Sequence, residues 1–373
     1  MELQHGGDIY TEGLLKGREL IDFSSNINPL GIPESFTSRI DEAVKNLNRY
    51  PDAKYRELRY NLKEYINKSP MLFNDKKDQD FVNEEYIVVG NGAAEVIDLV
   101  ISQFKSILIM APSFGEYEED ALKWGLNIRY SKLTEDMEYN YEDIMIKLTS
   151  VDALIIGNPN NPNGSIINGE KFKAILEFCE KNNKKVVIDE AFIEFVGDIN
   201  QSFVDEIKNF KCLFIVRALT KFYAMPGIRL GFGLCSDIEF IEKIKERQNP
   251  WNINSFAEVA AKYVLKDKEY IQRSLNWIRE ERSYLTKELK NITFIDKVYE
   301  THGNFILCKL KGISCYRFYD MCIEKGIAIR KCDNYKGLGK EYVRFAIKDR
   351  KLNNMLIKTL IKTLKNMNVN EVY

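Results

Sequence analysis

The 373-residue sequence predicts an α/β fold in which helices cover a mostly parallel sheet, followed by a smaller α/β C-terminal domain. Between about residues 84 and 235, apolar runs alternate with amphipathic stretches, which is the pattern of a parallel sheet buried on both faces. The length exceeds what one small core requires and suits two domains. We expect an N-terminal segment (1–35) packed on the small domain, a large domain (36–265) and a small domain (266–373).

The elements follow in order along the chain. The apolar runs of the large domain are EYIVVG, SILIMAP, DALIIGNP, KKVVIDEAF and CLFIVRAL, and the amphipathic stretches are AAEVIDLVISQF, EYEEDALKWG and EKFKAILEFCEKN. From about 237 to 290 the pattern is helical and charged, which predicts a long helix between the domains. The remainder predicts a mixed α/β unit from GNFILCKL, SCYRFYDMCIEKG, IAIRKCDN and EYVRFAIKD, with a closing helix near 351–366.

Composition and charge exclude several classes of protein. The 54 basic and 55 acidic residues give a net charge of −1, so no long-range field draws the chain to nucleic acid or to an anionic membrane. No apolar run approaches the roughly 18 residues of a membrane span, and the N-terminus lacks a signal-peptide pattern. The seven cysteines form no C-x-x-C pair, and the two histidines are far apart. We therefore expect a cytoplasmic protein with reduced thiols and no metal site.

Glycines mark a turn from a predicted strand into a predicted helix in VVGNGAAEVIDL. The turn Gly90-Asn91-Gly92 lets backbone N–H groups and the helix N-terminus approach a phosphate group. Turns of this kind are also common where no ligand binds. The purely structural interpretation of this turn therefore stays open.

A second polar turn follows a predicted strand in GNPNNPNGS, residues 157–165. Asn, Pro and Gly are the ordinary residues of tight turns, but the doubled Asn-Pro exceeds what a turn requires. The side chain of Asn161 can donate a hydrogen bond to a phenolate oxygen. A ligand-binding loop is therefore favoured over a plain turn.

Charged residues lie at the ends of two buried runs. Asp189 ends the run in VVIDEAFIEF, where a carboxylate is costly unless it is paired and where α/β sheets place their ligands. It can keep a pyridine nitrogen protonated, or it can serve as a helix N-cap. Lys221 follows CLFIVRAL, where a lysine either reaches back to water or takes part in chemistry. Arg229, eight residues further on, can form a bidentate pair with phosphate.

Together these segments resemble the fold-type I pyridoxal-phosphate enzymes, which share the aspartate-aminotransferase fold. The ordered family signature is a Gly-rich turn, N-P-x-N-P-x-G, D-x-A, and a lysine followed by G-x-R-x-G, and its order and rough spacing match this chain. The resemblance implies that Lys221 is the catalytic residue and holds pyridoxal 5'-phosphate as an imine. It also implies that Asp189 pairs with the pyridine nitrogen, Asn161 binds the ring oxygen and Phe114 stacks on the ring.

The resemblance further implies a site for the cofactor phosphate and a partner subunit. The residues implied at the phosphate come from the glycine turn and from the segment around the lysine: Gly92, Ala93, Ala94, Thr220 and Arg229. Tyr50, in RYPD, matches a tyrosine that reaches the phosphate from the partner subunit, which implies a homodimer. Two positions depart from the family pattern. Ala218 replaces a hydroxyl residue near the phosphate, and Phe192 replaces a tyrosine near the ring oxygen.

Within this fold, the chain resembles the branch that contains histidinol-phosphate aminotransferases and threonine-phosphate decarboxylases. HGGD, DFSSNINPLG, LTKFYAMPGIRLG and IRKCDNYKGLG are similar to the decarboxylase motifs. The aminotransferases have N-E-N-P where this chain has N-I-N-P, so an acidic side chain is absent.

Both groups act on phosphorylated amines, which implies a small phosphorylated amino acid as the substrate. Arg330 then binds the substrate phosphate, helped by His5 and Asn28, and Arg344 binds the carboxylate. A surface charge at a strand end is the alternative for Arg330. For His5 the alternative is a variable N-terminal segment.

The resemblance therefore implies decarboxylation of O-phospho-L-threonine to (R)-1-amino-2-propanol O-phosphate in cobalamin biosynthesis. Transamination by a histidinol-phosphate aminotransferase is the main alternative, because the same cofactor ring accepts electrons from either the Cα–carboxylate or the Cα–H bond. Phosphoserine is a further candidate, since one methyl group changes binding by only about 1–3 kcal/mol. A non-enzymatic pyridoxal-phosphate sensor is the remote alternative, and no DNA-binding helix pair or basic arm supports it.

Overall fold

The computed structural model describes residues 6–74 and 76–365. Its α-helices are α1 (Glu34–Thr37), α2 (Ile40–Lys45), α3 (Arg56–Asn74), α4 (Ala93–Ile101), α5 (Glu116–Lys123), α6 (Tyr141–Leu148), α7 (Gly169–Lys181), α8 (Ile238–Glu246), α9 (Ser255–Val264), α10 (Lys268–Lys290), α11 (Cys315–Glu324) and α12 (Arg350–Lys365). Its strands are β1 (Ile21–Asp22), β2 (Ile87–Gly90), β3 (Ser106–Ala111), β4 (Asn127–Lys132), β5 (Ala153–Gly157), β6 (Lys185–Asp189), β7 (Leu213–Ala218), β8 (Gly231–Leu234), β9 (Ile295–Val298), β10 (Phe305–Leu310), β11 (Ile327–Ala328), β12 (Arg330–Lys331) and β13 (Tyr342–Ala346).

A seven-stranded sheet in the order β2-β8-β7-β6-β5-β3-β4 forms the centre of the protein. Strands β7, β6, β5, β3 and β4 are parallel, whereas β8 runs antiparallel to both of its neighbours. The prediction of an α/β fold with a mostly parallel sheet is therefore confirmed.

The two faces of this sheet pack against separate layers of the core. In β3, Leu108 and Met110 belong to the larger hydrophobic cluster, and Ile107 and Ile109 belong to a second cluster on the other face. Successive side chains of a strand point to opposite faces. A strand with helices on both sides is therefore apolar at most positions, which is why nearly continuous apolar runs mark these strands.

A smaller antiparallel sheet in the order β12-β13-β10-β9 follows. β1, near the N-terminus, pairs in parallel with β11 of the C-terminal part. The long helix predicted between residues 237 and 290 corresponds to α10, and the shorter helices α8 and α9 precede it. The three domain ranges remain a prediction.

Candidate active site

A cavity of about 820 Å³ lies where the parallel strands of the large sheet end at their carboxyl termini. Loops after these strands come together at one edge of the sheet, which is the usual ligand position in α/β folds. The lining includes ten of the residues that the sequence predicts for the site: Ala93, Ala94, Phe114, Asn161, Asp189, Thr220, Lys221, Arg229, Arg330 and Arg344. Ala218 and Phe192, the two departures from the family pattern, also line it.

One corner of the cavity is built to receive an anion. Gly92 caps the N-terminus of α4 with φ of 86°, a conformation that favours glycine, and a Cβ atom there would lie 2.4 Å from Nη2 of Arg229. Only glycine therefore lets the guanidinium group lie this close to the first turn of α4. Backbone N–H groups at a helix N-terminus and a guanidinium group together suit a phosphate.

The carboxylate of Asp189 is held at the end of β6 and is 8% exposed. It accepts hydrogen bonds from the Tyr117 hydroxyl (2.6 Å) and from the backbone N–H of Ala191 (3.0 Å). Burial raises the pKa of Asp189, and the two hydrogen bonds oppose that rise. A protonated ring nitrogen beside the carboxylate would stabilise its ionised form. Asp189 therefore fits the predicted partner of a pyridine nitrogen.

The side chain of Asn161 is fixed through its oxygen atom. Its Oδ1 accepts hydrogen bonds from the Tyr335 hydroxyl (3.1 Å) and from Nη1 of Arg344. The preceding residue holds the loop itself, because Nδ2 of Asn160 donates to the Pro112 carbonyl (2.9 Å). The Nδ2 group of Asn161 is therefore the part of this side chain that can donate to a ring oxygen.

Lys221 is half-buried in the loop after β7 and lines the cavity. Burial, and then the positive charges of Arg344 and Arg229, lowers the pKa of Lys221 to about 8. A lysine with this pKa is partly neutral near physiological pH, and the neutral amine is the nucleophilic form. The structure thus provides a reactive amine at the position that the sequence predicts for it.

Asn28 lies outside the cavity lining and supports the backbone next to Lys221. Its Nδ2 donates to the Phe222 carbonyl (2.8 Å) and to the Ser274 hydroxyl (2.8 Å), and its backbone N–H donates to the Lys221 carbonyl (3.2 Å). Both amide hydrogens of the side chain are therefore in use. In the structure Asn28 supports the backbone beside Lys221, and its contact with the substrate stays a prediction.

One further predicted residue, Tyr50, does not meet the cavity within this chain. Tyr50 is 78% exposed and packs on Trp251, with 4.8 Å between the ring centroids. The prediction for Tyr50 requires a partner subunit. His5 lies outside the described residues.

Arg330 and Arg344 are direct cross-strand partners on β12 and β13, and they are 6% and 4% exposed. Nη2 of Arg330 donates to Oδ1 of Asn334 (2.8 Å), and Nη2 of Arg344 donates to the Ser24 carbonyl (2.9 Å). Among the described residues, the buried Nε of Arg344 has no hydrogen-bond partner. Like charges directly opposite each other are unfavourable, so this pair suits an anionic ligand.

Sequence reasoning missed two tyrosines of the site, Tyr117 and Tyr335. Tyr117 lies three residues after Phe114, which is one turn further along the chain, and the two rings meet edge to face at 5.7 Å. A separation of three residues therefore indicates from the sequence alone that Tyr117 can lie beside Phe114. Tyr335 reaches Asn161 from 174 positions away, and no local pattern predicts such a contact.

Other kinds of site receive no support from the part of the chain that the structure describes. No three His, Cys, Asp or Glu side chains cluster there as metal ligands would. Every helix of residues 6–74 and 76–365 falls short of the length or the apolar character that a membrane span requires. The seven cysteines are buried free thiols.

The sequence matches the family model described as aminotransferase class I and II over residues 18–360. A protein of Caldanaerobacter subterraneus subsp. tengcongensis with the provisional name threonine-phosphate decarboxylase is 40% identical over 362 residues, covering 96% of this chain and 93% of that protein. The threonine-phosphate decarboxylase of Salmonella typhimurium is 31% identical, with 96% of each chain covered. A solved structure of the histidinol-phosphate aminotransferase from Clostridium acetobutylicum has 50% identity and a TM-score of 0.88, covering 93% of this chain and all of that one (100%).

These relatives match nearly the whole chain, and the family model covers most of it. The ordered motifs place a lysine, an aspartate, an asparagine and an arginine around one cavity at the carboxyl end of the sheet. The chain therefore belongs to the class I and II aminotransferase family.

Proposed function

We propose that the protein uses pyridoxal 5'-phosphate to decarboxylate O-phospho-L-threonine to (R)-1-amino-2-propanol O-phosphate, a step of cobalamin biosynthesis. The observation that carries the proposal is the buried pair Arg330 and Arg344, which face the cavity that contains Lys221. Two buried cations at neighbouring positions are costly without anions. The proposed substrate carries two anionic groups, a phosphate and a carboxylate. The similarity to threonine-phosphate decarboxylases supports the same substrate.

The residues of the cavity fit pyridoxal phosphate group by group. Lys221 supplies the amine that bonds to the aldehyde, and Asp189 can pair with the ring nitrogen. Asn161 can donate to the ring oxygen, and Phe114 can stack on the ring face. The N-terminus of α4 and Arg229 suit its phosphate. When bound, the cofactor withdraws electrons from the α-carbon of an amino-acid substrate.

Lys221 serves as the proton donor of the proposed reaction. With the cofactor and substrate bound, the amine of Lys221 would be free in the cavity to hold or move a proton at the α-carbon. Loss of carbon dioxide breaks the Cα–carboxylate bond, and the α-carbon then takes a proton in place of the carboxylate. A lysine with a pKa near 8 is partly protonated at neutral pH and can deliver that proton.

The two arginines divide the recognition of the substrate between them. We assign the phosphate to Arg330, whose guanidinium group is pre-positioned by Asn334, because a planar fork matches phosphate oxygens. We assign the carboxylate to Arg344, whose Nε is the unpaired buried donor noted above. Supplying an acceptor to such a donor removes a free-energy cost of about 1–3 kcal/mol.

Transamination of histidinol phosphate is the second candidate, because the Clostridium acetobutylicum structure with 50% identity carries that name. The residues that bind the cofactor serve both reactions equally. The segment Asn26-Ile27-Asn28-Pro29 lacks the acidic side chain of the aminotransferase motif, and this difference favours the decarboxylase.

The first experiment measures carbon dioxide release from O-phospho-L-threonine by the protein loaded with pyridoxal phosphate. We expect stoichiometric release of carbon dioxide and formation of aminopropanol phosphate, and slower release from O-phospho-L-serine. A parallel reaction contains histidinol phosphate and 2-oxoglutarate. Formation of glutamate in that reaction, with phosphothreonine left intact, would overturn the proposal in favour of the aminotransferase.

The rate of cofactor uptake by the cofactor-free protein should depend on pH with a midpoint near 8. Bond formation with the aldehyde needs the neutral amine of Lys221, and the folded-state pKa of that amine is lowered to about 8 from the usual 10.5. The rate should therefore rise as pH increases through 8 and level off above about 9. Stopped-flow absorbance measures it. A rate that keeps rising towards pH 10.5 would show that the cavity does not lower this pKa.

We also propose that the protein is a cytoplasmic homodimer in which Tyr50 of one subunit reaches the cofactor phosphate of the other. Tyr50 and Trp251 are large, exposed aromatic side chains in mutual contact, as expected of residues that a partner subunit covers. The segment before Tyr50 in the same chain also exposes apolar side chains, namely Ile40, Val44 and Leu47. The buried free thiols suit a reducing compartment. Analytical ultracentrifugation of the holoprotein tests the dimer.

A further inference from the structure

We infer that Tyr335 is a positioning residue that couples substrate binding at Arg344 to the orientation of the cofactor-binding amide of Asn161. The inference rests on the proposed function, because it takes Arg344 and Asn161 as ligands of the substrate carboxylate and of the ring oxygen. Tyr335 is buried and lines the cavity. Its hydroxyl donates to Oδ1 of Asn161 (3.1 Å) and accepts from Nη1 of Arg344 (3.2 Å).

The same side chain also touches the second arginine. The guanidinium carbon of Arg330 lies 5.0 Å from the centre of the Tyr335 ring, within the range of a cation–π contact. One phenol therefore contacts the group assigned to the substrate phosphate, the group assigned to the carboxylate and the amide assigned to the cofactor ring.

The need for this contact follows from the hydrogen bonds of Arg344. In the structure, Nη1 of Arg344 donates to Oδ1 of Asn161 as well as to Tyr335. A substrate carboxylate that binds in a bidentate manner needs a second N–H group besides Nε, so it competes with the present acceptors of that guanidinium, Asn161 among them. Tyr335 is then the donor that still holds Oδ1 of Asn161, and it keeps Nδ2 directed to the ring oxygen while the substrate is bound.

The loop that carries Tyr335 is itself held firmly. Its ring packs in a small hydrophobic cluster with Tyr299, Leu307 and Leu338. The next residue, Lys336, forms an ion pair with Glu118 of α5 (2.8 Å). The position of the hydroxyl is therefore set by contacts on both sides of the cavity.

The test replaces Tyr335 by phenylalanine, which removes only the hydroxyl group. The readout is the pH midpoint of the visible absorbance of the bound cofactor, measured with and without saturating 3-phosphoglycerate. This probe carries a carboxylate and a phosphate at the spacing found in phosphoserine, but it has a hydroxyl in place of the amine and cannot displace Lys221.

A strong donor to the ring oxygen favours its anionic form and so lowers the midpoint. With 3-phosphoglycerate bound, we expect the midpoint of Tyr335→Phe to lie about 0.5–1 pH unit above that of the wild-type protein. Without the ligand the difference should be smaller but still measurable, because Arg344 then donates to Asn161 alongside Tyr335. We also expect KM for O-phospho-L-threonine to rise about threefold to tenfold.

Tyr299→Phe is the matched control, because it removes a hydroxyl from the same cluster without touching Asn161 or either arginine. It should reproduce the wild-type midpoints, and thermal unfolding should show both variants folded. Equal midpoints in Tyr335→Phe and the wild type, with the ligand bound, would overturn the inference. A wild-type protein that does not bind 3-phosphoglycerate would count against the proposed substrate class instead. The ligand-free titration then tests the role of Tyr335. Equal midpoints in Tyr335→Phe and the wild type in that titration would overturn the inference.

Discussion

Replacing Lys221 by alanine is expected to lower kcat for O-phospho-L-threonine by roughly 10⁴-fold or more, because one change removes both the amine that bonds the cofactor and the proton donor. The covalent bond to the cofactor should be lost as well. Treatment with borohydride followed by peptide mass spectrometry should label the Lys221 peptide of the wild-type protein, and no peptide of the variant.

Lys221→Arg is the matched variant, since it keeps a positive charge but cannot form the bond. It should be as inactive as the alanine variant. The cofactor-free alanine variant should unfold at a temperature equal to or above that of the wild type, because it removes a half-buried cation from beside Arg344 and Arg229. Turnover within tenfold of the wild type in either variant would contradict the assignment of Lys221.

The sequence predicts those strands whose burial on both faces requires a run of mostly apolar residues. β5 and β7 are buried at every position. β5 is apolar throughout, and the one charged residue of β7, Arg217, pairs with Glu190 and Glu194, so both strands stand out as apolar runs. β4, at the edge of the sheet, reads NIRYSK and is mostly exposed or half-buried. An edge strand needs no apolar run, and this strand was not predicted.

β8 escaped prediction for a different reason. Its sequence, GFGL, contains Gly231 and Gly233, where a Cβ atom would come within 2.3 Å of Ala93 and of Phe214, respectively. The glycines are needed because other parts of the chain approach the strand closely. That requirement belongs to the tertiary structure, and neither strand propensity nor apolar periodicity indicates it.

The candidate site divides in the same way. Lys221, Asp189 and Asn161 lie in local motifs at or just after the ends of strands of one sheet, so the order of the motifs predicts that they meet. The pairing of Arg330 with Arg344 depends on the register of β12 and β13. The use of the Asn28 amide depends on α10, 246 positions further along the chain. Contacts of this range arise from packing and leave no local pattern.

Replacing Asp189 by asparagine is expected to lower kcat by about 10²–10³-fold, since a preorganised charge at the ring nitrogen is lost while the shape of the site is kept. Tyr117→Phe is the graded control, because it removes one hydrogen bond to that carboxylate (2.6 Å) and leaves its charge. Tyr117→Phe should lower kcat by about tenfold or less. Both variants are measured with pyridoxal phosphate and with its N-methyl derivative, whose ring nitrogen is permanently positive.

If Asp189 acts by keeping the ring nitrogen protonated, the N-methyl derivative should restore part of the lost activity in Asp189→Asn, because the positive charge no longer depends on a carboxylate. In the wild type the derivative should bring no gain, since Asp189 already stabilises the protonated nitrogen. Equal activity of Asp189→Asn with the two cofactors would mean that the carboxylate acts by holding the ring in place rather than by charge. In that case the hydrogen bonds from Tyr117 and Ala191 serve to orient the Asp189 side chain against the cofactor ring. They do not act by adjusting the strength of an ion pair between Asp189 and the ring nitrogen.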